Sequence, residues 1–317
     1  MLVTVIIPTY KRIDYLREAV QSVVDQTYTN FECLVVNDYP PFKDQIQDLI
    51  DSFQDERVRV IHHEQNGGES QARNTAIPEA KGEIIGLLDD DDIWLENFLA
   101  EHVKKHQERP DAGLVYSGLH KFWDNDFMAP RTYTGETPPP AEKLTEAWLQ
   151  GDFCLASSSI VSLKRVCFEE CGIFDTSLPS FADWDMWCRI SHKYAFAHIE
   201  APLIRYRYHL GVRGSTDMGK RMKGIEVLSA KWSHREEFRG FEDGLRVNAY
   251  MSEIRNNILM GDRKKGAQLL MECIRKYGAE SIRHFDEILF SGFIVMAGKF
   301  YPDIQKMIHG GKAKATT

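Results

Sequence analysis

The apolar run Ile84-Ile85-Gly86-Leu87-Leu88 ends abruptly in four aspartates, Asp89 to Asp92, and apolar residues resume at Ile93-Trp94. A short apolar run bounded in this way reads as a strand buried on both faces, which places it in a sheet covered by helices above and below. The carboxylates then stand at the C-terminal tip of that strand. Adjacent carboxylates repel, so holding them together costs free energy unless a cation lies among them. Hard oxygen donors suit Mg²⁺ or Mn²⁺, which take one or two protein carboxylates and leave other positions to water and phosphate. A phosphate-bearing substrate is the expected third party. A competing reading is an acidic turn capping the next helix, expected over 95–106 with Asp92 as its N-cap. That accounts for one aspartate and not for four. A calcium loop of the EF-hand type fails because Ile93-Trp94-Leu95 breaks the ligand alternation.

The chain has 317 residues, room for two domains or for one large domain with an appendage. Strand and helix patterns alternate through the first half, which implies a parallel sheet with helices on both faces. Strands are expected at 2–7, 31–36, 58–62, 83–88 and 114–122. The stripe Ile13, Leu16, Val20, Val23 and Val24 marks a helix between the first two, and Ile46, Leu49, Ile50 and Phe53 mark another over 42–53. Gly67-Gly68 opens a short helix running through Ala76. Thr137-Pro138-Pro139-Pro140 reads as a loop or crossing segment. Beyond it come a helix over 141–149, a strand at 157–162, a helix over 163–171, a helix starting near Asp183 and a strand at 196–207. From Lys220 the pattern is mostly helical: Ile225, Leu228 and Trp232 mark one helix, followed by 245–259, 267–277 and 285–300. The tail from His309 reads as frayed. The expected division is a domain over 1–219 and a helical region over 220–317.

The formal net charge is −8, which argues against nucleic acid as the main partner, since phosphate-backbone binding needs a basic footprint. Six cysteines are scattered without a CxxC pair; Cys167 and Cys171 are one helical turn apart, and buried reduced thiols of a cytosolic protein are the expectation. Met1-Leu2 leads straight into VTVIIP with no basic n-region, and no apolar stretch reaches membrane-spanning length, so a soluble or at most peripheral protein is expected.

In open α/β sheets, ligands bind outside the carboxyl ends of the strands. The polar residues there are Pro8-Thr9-Tyr10-Lys11-Arg12, Asn37-Asp38, Asn66-Gly67-Gly68 and the aspartates. Asp38 can accept from a ring N–H, which uracil, thymine and guanine offer and adenine lacks, favouring UDP, dTDP or GDP; an Asx-turn is the alternative. Gly67 and Gly68 allow close backbone approach at a helix start whose N–H groups attract anions. Arg73 pairs with a diphosphate, holds the acid cluster, or forms a surface ion pair. Pro8 and Thr9 wall the base and ribose. Trp94, Trp184 and Trp187 are candidates for a sugar platform, with core packing favoured for Trp187. No task is assigned to His62-His63.

VTVIIPTYKR, VVND, NGGESQARNTAI, GEIIGLLDDDDIW and FADWDMWCRI, in that order, resemble the family 2 glycosyltransferases of the GT-A fold over about the first two-thirds of the chain. The resemblance implies a Rossmann-like mixed sheet flanked by helices, here with a helical C-terminal appendage. It implies inverting transfer of a sugar from a nucleoside-diphosphate donor, UDP first, to a sugar, lipid-linked or other hydroxyl acceptor in polysaccharide or glycoconjugate synthesis, with Mn²⁺ or Mg²⁺. The donor nucleotide falls to Pro8, Thr9, Tyr10, Arg12, Asp38, Gly68, Arg73 and Asp90. Asp91 is the metal ligand of the DxD-type site, with Asp89 and His209 as further candidates; Asp90 meets the ribose or the metal, and a structural role is the alternative for Asp89. The family's Glu-Asp-aromatic segment reads Ala182-Asp183-Trp184-Asp185 here, so Asp183 matches the catalytic base and Ala182 replaces the glutamate. Asp185 is the runner-up, and positions two apart on a helix do not share a face. An N-capping role is compatible with Asp183. Tyr206-Arg207-Tyr208-His209 and Arg213-Gly214-Ser215 resemble a segment closing over the diphosphate, where His209 touches phosphate or metal.

Two other classes compete. A sugar-phosphate nucleotidyltransferase would carry a glycine-rich loop after the first strand, where this chain has none; a non-catalytic nucleotide-sugar binding protein would not need both the acid run and Asp183. No GxGxxG follows the first strand, which argues against a dehydrogenase. The C-terminal helices leave open acceptor binding, a homodimer, or peripheral contact with the inner face of the cell membrane. Lys220-Arg221-Met222-Lys223 and Arg263-Lys264-Lys265 would suit anionic lipid, though solvated helix ends explain such runs more simply.

Overall fold

The computed structural model describes residues 1–123, 130–208, 217–239 and 241–283. They form two compact units: a sheet unit holding all nine strands, and a helical unit after residue 217 that also includes Leu178–Phe181.

The sheet begins as expected. β1 (Val3–Thr9), β2 (Phe31–Asn37), β3 (Val58–His62) and β4 (Ile84–Leu87) are parallel in the order β3-β2-β1-β4. Every residue of β1 is buried, because α1 (Ile13–Val24), α2 (Lys43–Ser52) and α3 (Glu69–Ala76) are the connections that cover the sheet. Ile6 is registered against Leu34 on one side and Leu87 on the other. α1 buries Leu16, Val20 and Val23 of the stripe read from sequence together with Ala19, while Ile13 and Val24 are half-buried. Each such Leu or Val taken fully out of water contributes about 1.5–3 kcal/mol.

The second half departs from the parallel plan. Its strands are β5 (Ile93–Trp94), β6 (Ala112–Trp123), β7 (Arg131–Tyr133), β8 (Val161–Lys164) and β9 (Ala195–Tyr208). β8 lies antiparallel between β4 and β6, with Leu163 opposite Ile85 on one side and Leu114 on the other. β6 and β9 are parallel, whereas β5 and β7 pair antiparallel with β9 and β6. The sheet is therefore mixed, in the order β3-β2-β1-β4-β8-β6-β9-β5 with β7 beside β6. Four helices complete the unit: α4 (Phe98–Glu108), α5 (Ala141–Gln150), α6 (Val166–Cys171) and α7 (Ala182–Ser191).

Two local expectations are corrected here. The strand at 157–162 is a 3₁₀ turn over Ser158–Ile160 followed by β8, because Ser157 Oγ accepts the Ser159 N–H and competes with strand pairing. Leu163 and Lys164 thus belong to the strand, and α6 starts at Val166. The helix expected over 95–106 starts at Phe98 after Asn97, and Asp92 does not cap it. Ile93-Trp94 instead pairs with β9, and the reason is the Trp94 ring. It stacks on Phe98 at 3.9 Å, donates from Nε1 to the Ser159 carbonyl at 2.8 Å, and crosses β4 at Gly86, where a Cβ would come within 2.8 Å of it.

The helical unit consists of α8 (Met218–Trp232), α9 (Glu236–Arg239), α10 (Phe241–Leu259) and α11 (Arg263–Arg283). Val247, Tyr250, Met251, Ile254, Ile258 and Cys273 form its core. Arg221 is buried and donates to Asn248 at 2.8 Å and Ser252 at 3.1 Å, so the run Lys220–Lys223 is not a uniformly solvated basic face. The helix expected at 285–300 and the tail from His309 lie outside the described residues. Among the described residues no helix is long and apolar enough to cross a membrane. All six cysteines are free thiols; Cys154 is exposed, against the expectation of burial.

Candidate active site

The parallel strands β1, β2 and β4 all point their carboxyl ends to one edge of the sheet. β8 runs the other way, so its amino end, with Ser158 and Ser159 before it, arrives at the same edge. β6 and β9 again end there. The mixed topology thus delivers to the aspartates partners from segments far away in sequence.

Every aspartate is partnered, and Arg12 is shared between two of them. Asp89 pairs with Arg73 Nη2 at 2.7 Å, and its N–H donates to Ser159 Oγ at 3.1 Å. Asp90 accepts at Oδ2 from Thr9 Oγ1 at 2.8 Å and from the Tyr10 N–H at 3.3 Å. Arg12 Nη1 bridges Asp90 Oδ1 at 2.8 Å and Asp91 Oδ2 at 2.9 Å. Asp92 Oδ1 accepts the Arg207 N–H at 2.9 Å, and Arg207 Nε donates to the Asp91 carbonyl at 2.9 Å. Asp92 is therefore a brace between the acid turn and the end of β9, which Arg207 extends to Glu18 at 2.7 Å. Burial pushes the Asp90 carboxyl up to about 7 despite Arg12, Thr9 and its other partners. Asp92 is raised well above the usual carboxylate range by burial and by repulsion from Asp91 and Asp89.

Arg73 is buried and directed at the acid cluster. It pairs with Glu69 at 2.6 Å as well as Asp89, and donates to Ser158 Oγ at 2.8 Å. Of its three expected tasks, holding the cluster is the one these contacts perform, and a surface ion pair is excluded by burial.

The Gly67-Gly68 turn is arranged differently from the expectation of free N–H groups. Gly67 N donates to Asp38 Oδ1 at 2.7 Å and Gly68 N to Asp38 Oδ2 at 2.8 Å. The anion at this helix start is Asp38 itself. Gly68 has φ +83°, a conformation that favours glycine. Asp38 Oδ1 also meets His63 Nδ1 at 2.8 Å, and His63 Nε2 meets Thr75 Oγ1 at 2.9 Å. His63, unassigned from sequence, ties β3 and α3 to the β2 tip. Tyr10, 41% exposed, meets Tyr39 edge-on at 5.3 Å, and the Lys11 ammonium lies over both rings. These rings form an aromatic wall beside Pro8 and Thr9 at the end of β1.

Asp183 and Asp185 have separate fates. Asp183 is partly exposed in the first turn of α7, not at its N-cap, and its Oδ1 accepts the Trp184 N–H at 2.8 Å. Its charge reaches Arg73 and Asp89. Asp185 is fully buried and accepts from Arg189 Nε at 2.9 Å, while Arg189 also binds the Cys171 and Ile173 carbonyls. Trp94, Trp184 and Trp187 are all buried, at 2%, 7% and 2% exposure, so none of them offers a sugar platform. His209 and Arg213-Gly214-Ser215 lie outside the described residues.

Sequence reasoning passed over Ser158, Ser159 and Glu18, and it named Arg207 only within a segment expected to close over the diphosphate. Glu69 was also passed over, although its place four residues before Arg73 on a helix was a readable signal. The donor set fits a divalent cation in a limited sense. Asp91 with Asp90 offers hard carboxylate oxygens in the number a magnesium-type ion takes from protein, whereas Asp89 is committed to Arg73. Among the described residues no three His, Cys, Asp or Glu side chains converge as metal ligands, so phosphate or water oxygens would complete the shell.

Comparison with known proteins bears on the family and the fold. An uncharacterized glycosyltransferase of Rickettsia felis is 30% identical over 245 residues, covering 76% of this chain and 40% of the relative. The chain spans about two-fifths of the length of the first curated relatives it matches. Two solved structures share the fold. Staphylococcus aureus TarS 1–349 in complex with UDP-GlcNAc has a TM-score of 0.57 at 17% identity, with 90% of this chain and 92% of that one covered. Mannosyltransferase PcManGT from Pyrobaculum calidifontis, in complex with GDP-Man and Mn²⁺, has a TM-score of 0.53 at 18% identity, with 94% and 86% covered. The model of the family described as glycosyl transferase family 2 matches residues 4–172, more than half of the chain, and the chain belongs to that family.

Proposed function

We propose that this protein transfers a glycosyl group, with inversion, from a nucleoside-diphosphate donor to a hydroxyl of a sugar, lipid-linked or other acceptor. The observation that carries the reading is the single edge of the sheet where Thr9, Arg12, Arg73 and the acid run meet, with a partly exposed carboxylate, Asp183, in electrostatic reach. The aromatic wall of Tyr10 and Tyr39 suits a nucleobase. UDP is the first donor to test, with dTDP and GDP beside it. TarS was solved with UDP-GlcNAc and the mannosyltransferase with GDP-Man, so the fold itself accommodates either base.

In this reading Asp183 takes the proton of the acceptor hydroxyl as its oxygen attacks the anomeric carbon opposite the leaving diphosphate. Asp185 is unsuited to that step because its carboxylate is buried and held by Arg189. Arg73 and Arg207 keep the acid turn in one geometry, and Thr9 orients Asp90. A divalent cation held by Asp91, with Asp90 beside it, would supply electrostatic stabilisation of charge developing on the diphosphate.

Asp183→Asn tests the assignment. Transfer should fall about 10²- to 10⁴-fold with donor binding intact by calorimetry, and near-normal turnover would refute the role. Incubating the protein with UDP-, dTDP- and GDP-sugars and measuring nucleotide release tests the class, because donor hydrolysis requires no acceptor. Release of inorganic pyrophosphate from a nucleoside triphosphate and a sugar phosphate would instead favour a nucleotidyltransferase.

A further inference from the structure

One nitrogen, Arg12 Nη1, lies between two carboxylates, 2.8 Å from Asp90 Oδ1 and 2.9 Å from Asp91 Oδ2. That is the position a divalent ion would take to use both groups. Asp90 has already committed its other oxygen to Thr9 and the Tyr10 N–H, and Asp89 is held by Arg73 and Ser158. The carboxylate oxygens that Arg12 covers are therefore the ones a metal would need. A guanidinium and a divalent ion on the same pair of oxygens repel strongly at contact distance. The Arg12 side chain is 26% exposed, which gives an incoming anion access to it. A planar guanidinium matches phosphate oxygens well.

We infer that Arg12 is a resident counter-cation of the Asp90–Asp91 pair, making divalent-ion binding conditional on the donor diphosphate that draws Arg12 away. This rests on the metal-assisted reading above and specifies how the site is held before the donor arrives. Arg12 is a positioning residue here: it neutralises the acid turn in the free protein and exchanges that partner for phosphate when donor and ion enter together. Because occupancy of the carboxylates is exclusive, the free protein binds the ion weakly, and donor and ion bind with positive coupling.

The test is Mn²⁺ binding to the full-length chain, read by electron paramagnetic resonance with Mn²⁺ alone and with Mn²⁺ plus UDP or GDP. Wild type should bind Mn²⁺ alone weakly and gain affinity with nucleotide. In Arg12→Gln, affinity for Mn²⁺ alone should rise about tenfold and the nucleotide-dependent gain should shrink. Arg12→Lys keeps a positive charge at the pair and should retain most of the wild-type weakness toward Mn²⁺ alone. It also keeps the test informative if the unpaired acid turn of Arg12→Gln does not fold. Lys-variant affinity equal to that of a folded Gln variant would overturn the proposal. So would unchanged Mn²⁺ affinity in Arg12→Gln while wild type binds Mn²⁺ with nucleotide, and in that case the metal reading survives. Wild type that binds UDP or GDP but never Mn²⁺ would overturn the metal reading and this proposal together.

Discussion

The two halves of the sheet differ in burial, β1 being wholly buried and β9 only in part, and they contribute to the site in different ways. The parallel half, β3-β2-β1-β4, supplies strand tips in chain order: Thr9 and Arg12 after β1, Asp38 after β2, and the aspartates after β4. The mixed half, β8-β6-β9-β5, supplies the braces: Ser158 and Ser159 before β8, Arg207 near the end of β9, and the Ile93-Trp94 strand that turns the acid run back. One half carries the strand-tip groups proposed for the nucleotide; the other supplies contacts that hold the like-charged turn. A site of this kind is a joint product of local βα units and long-range pairing.

Breaking the join should be costlier than breaking either half. Arg73→Met removes the buried cation shared by Glu69, Asp89 and Ser158, and should destabilise the protein by about 3–5 kcal/mol in urea unfolding, since Asp89 is left without its charge partner. The next largest effect belongs to the mixed half and appears with pH. His102 and His106 on α4 face Ser162 of β8 at 2.8 and 3.0 Å, and both are buried. Burial holds His102 well below 6.5 and His106 at about 4. Between pH 6.5 and 4 the unfolded chain binds a proton at His106 that the folded chain refuses, so stability falls as pH drops through that window. The loss for His106 should be about 3 kcal/mol, and His106→Gln should flatten the slope in unfolding measured at pH 7 and pH 4.5. If the slope were unchanged, the acid sensitivity would lie elsewhere.

Gly86→Ala probes the crossing of β4 by Trp94. The added Cβ would stand 2.8 Å from the indole, and overpacking of this kind should cost about 1–3 kcal/mol, measured as a lowered urea midpoint at constant m-value. A neutral result would mean that β5 moves freely against β4. Thr9→Val should show the smallest effect. It deletes one hydrogen bond to a buried carboxylate in the parallel half, for about 1–2 kcal/mol by the same assay, while Arg12 still holds Asp90.

The same contrast explains what could be read from residues alone. α1 and β1 to β4 were legible because their stripes and apolar runs are local, and the acid run was visible at a strand tip. β8 was misplaced because Ser157–Ile160 resembles a strand, and β5 was missed because a two-residue strand carries no periodic signal until its long-range partner is in place. Trp94 and Trp184 were candidates for a sugar platform because pyranose C–H faces pack on aromatic rings, yet both are buried. Arg73 was found, but its partner Ser158 is 85 residues away and carries no local signal.

Sequence by itself determined where negative charge would gather and which strands would be buried, because both follow from side-chain type and spacing along a few turns. The tertiary structure alone decided what each charge would face. Whether Asp91 meets Arg12, whether Asp38 spends its oxygens on Gly67 and Gly68, and whether Asp92 caps a helix or grips β9 depend on pairings between distant segments. Those pairings are set by packing and burial over the whole sheet, which no local pattern encodes.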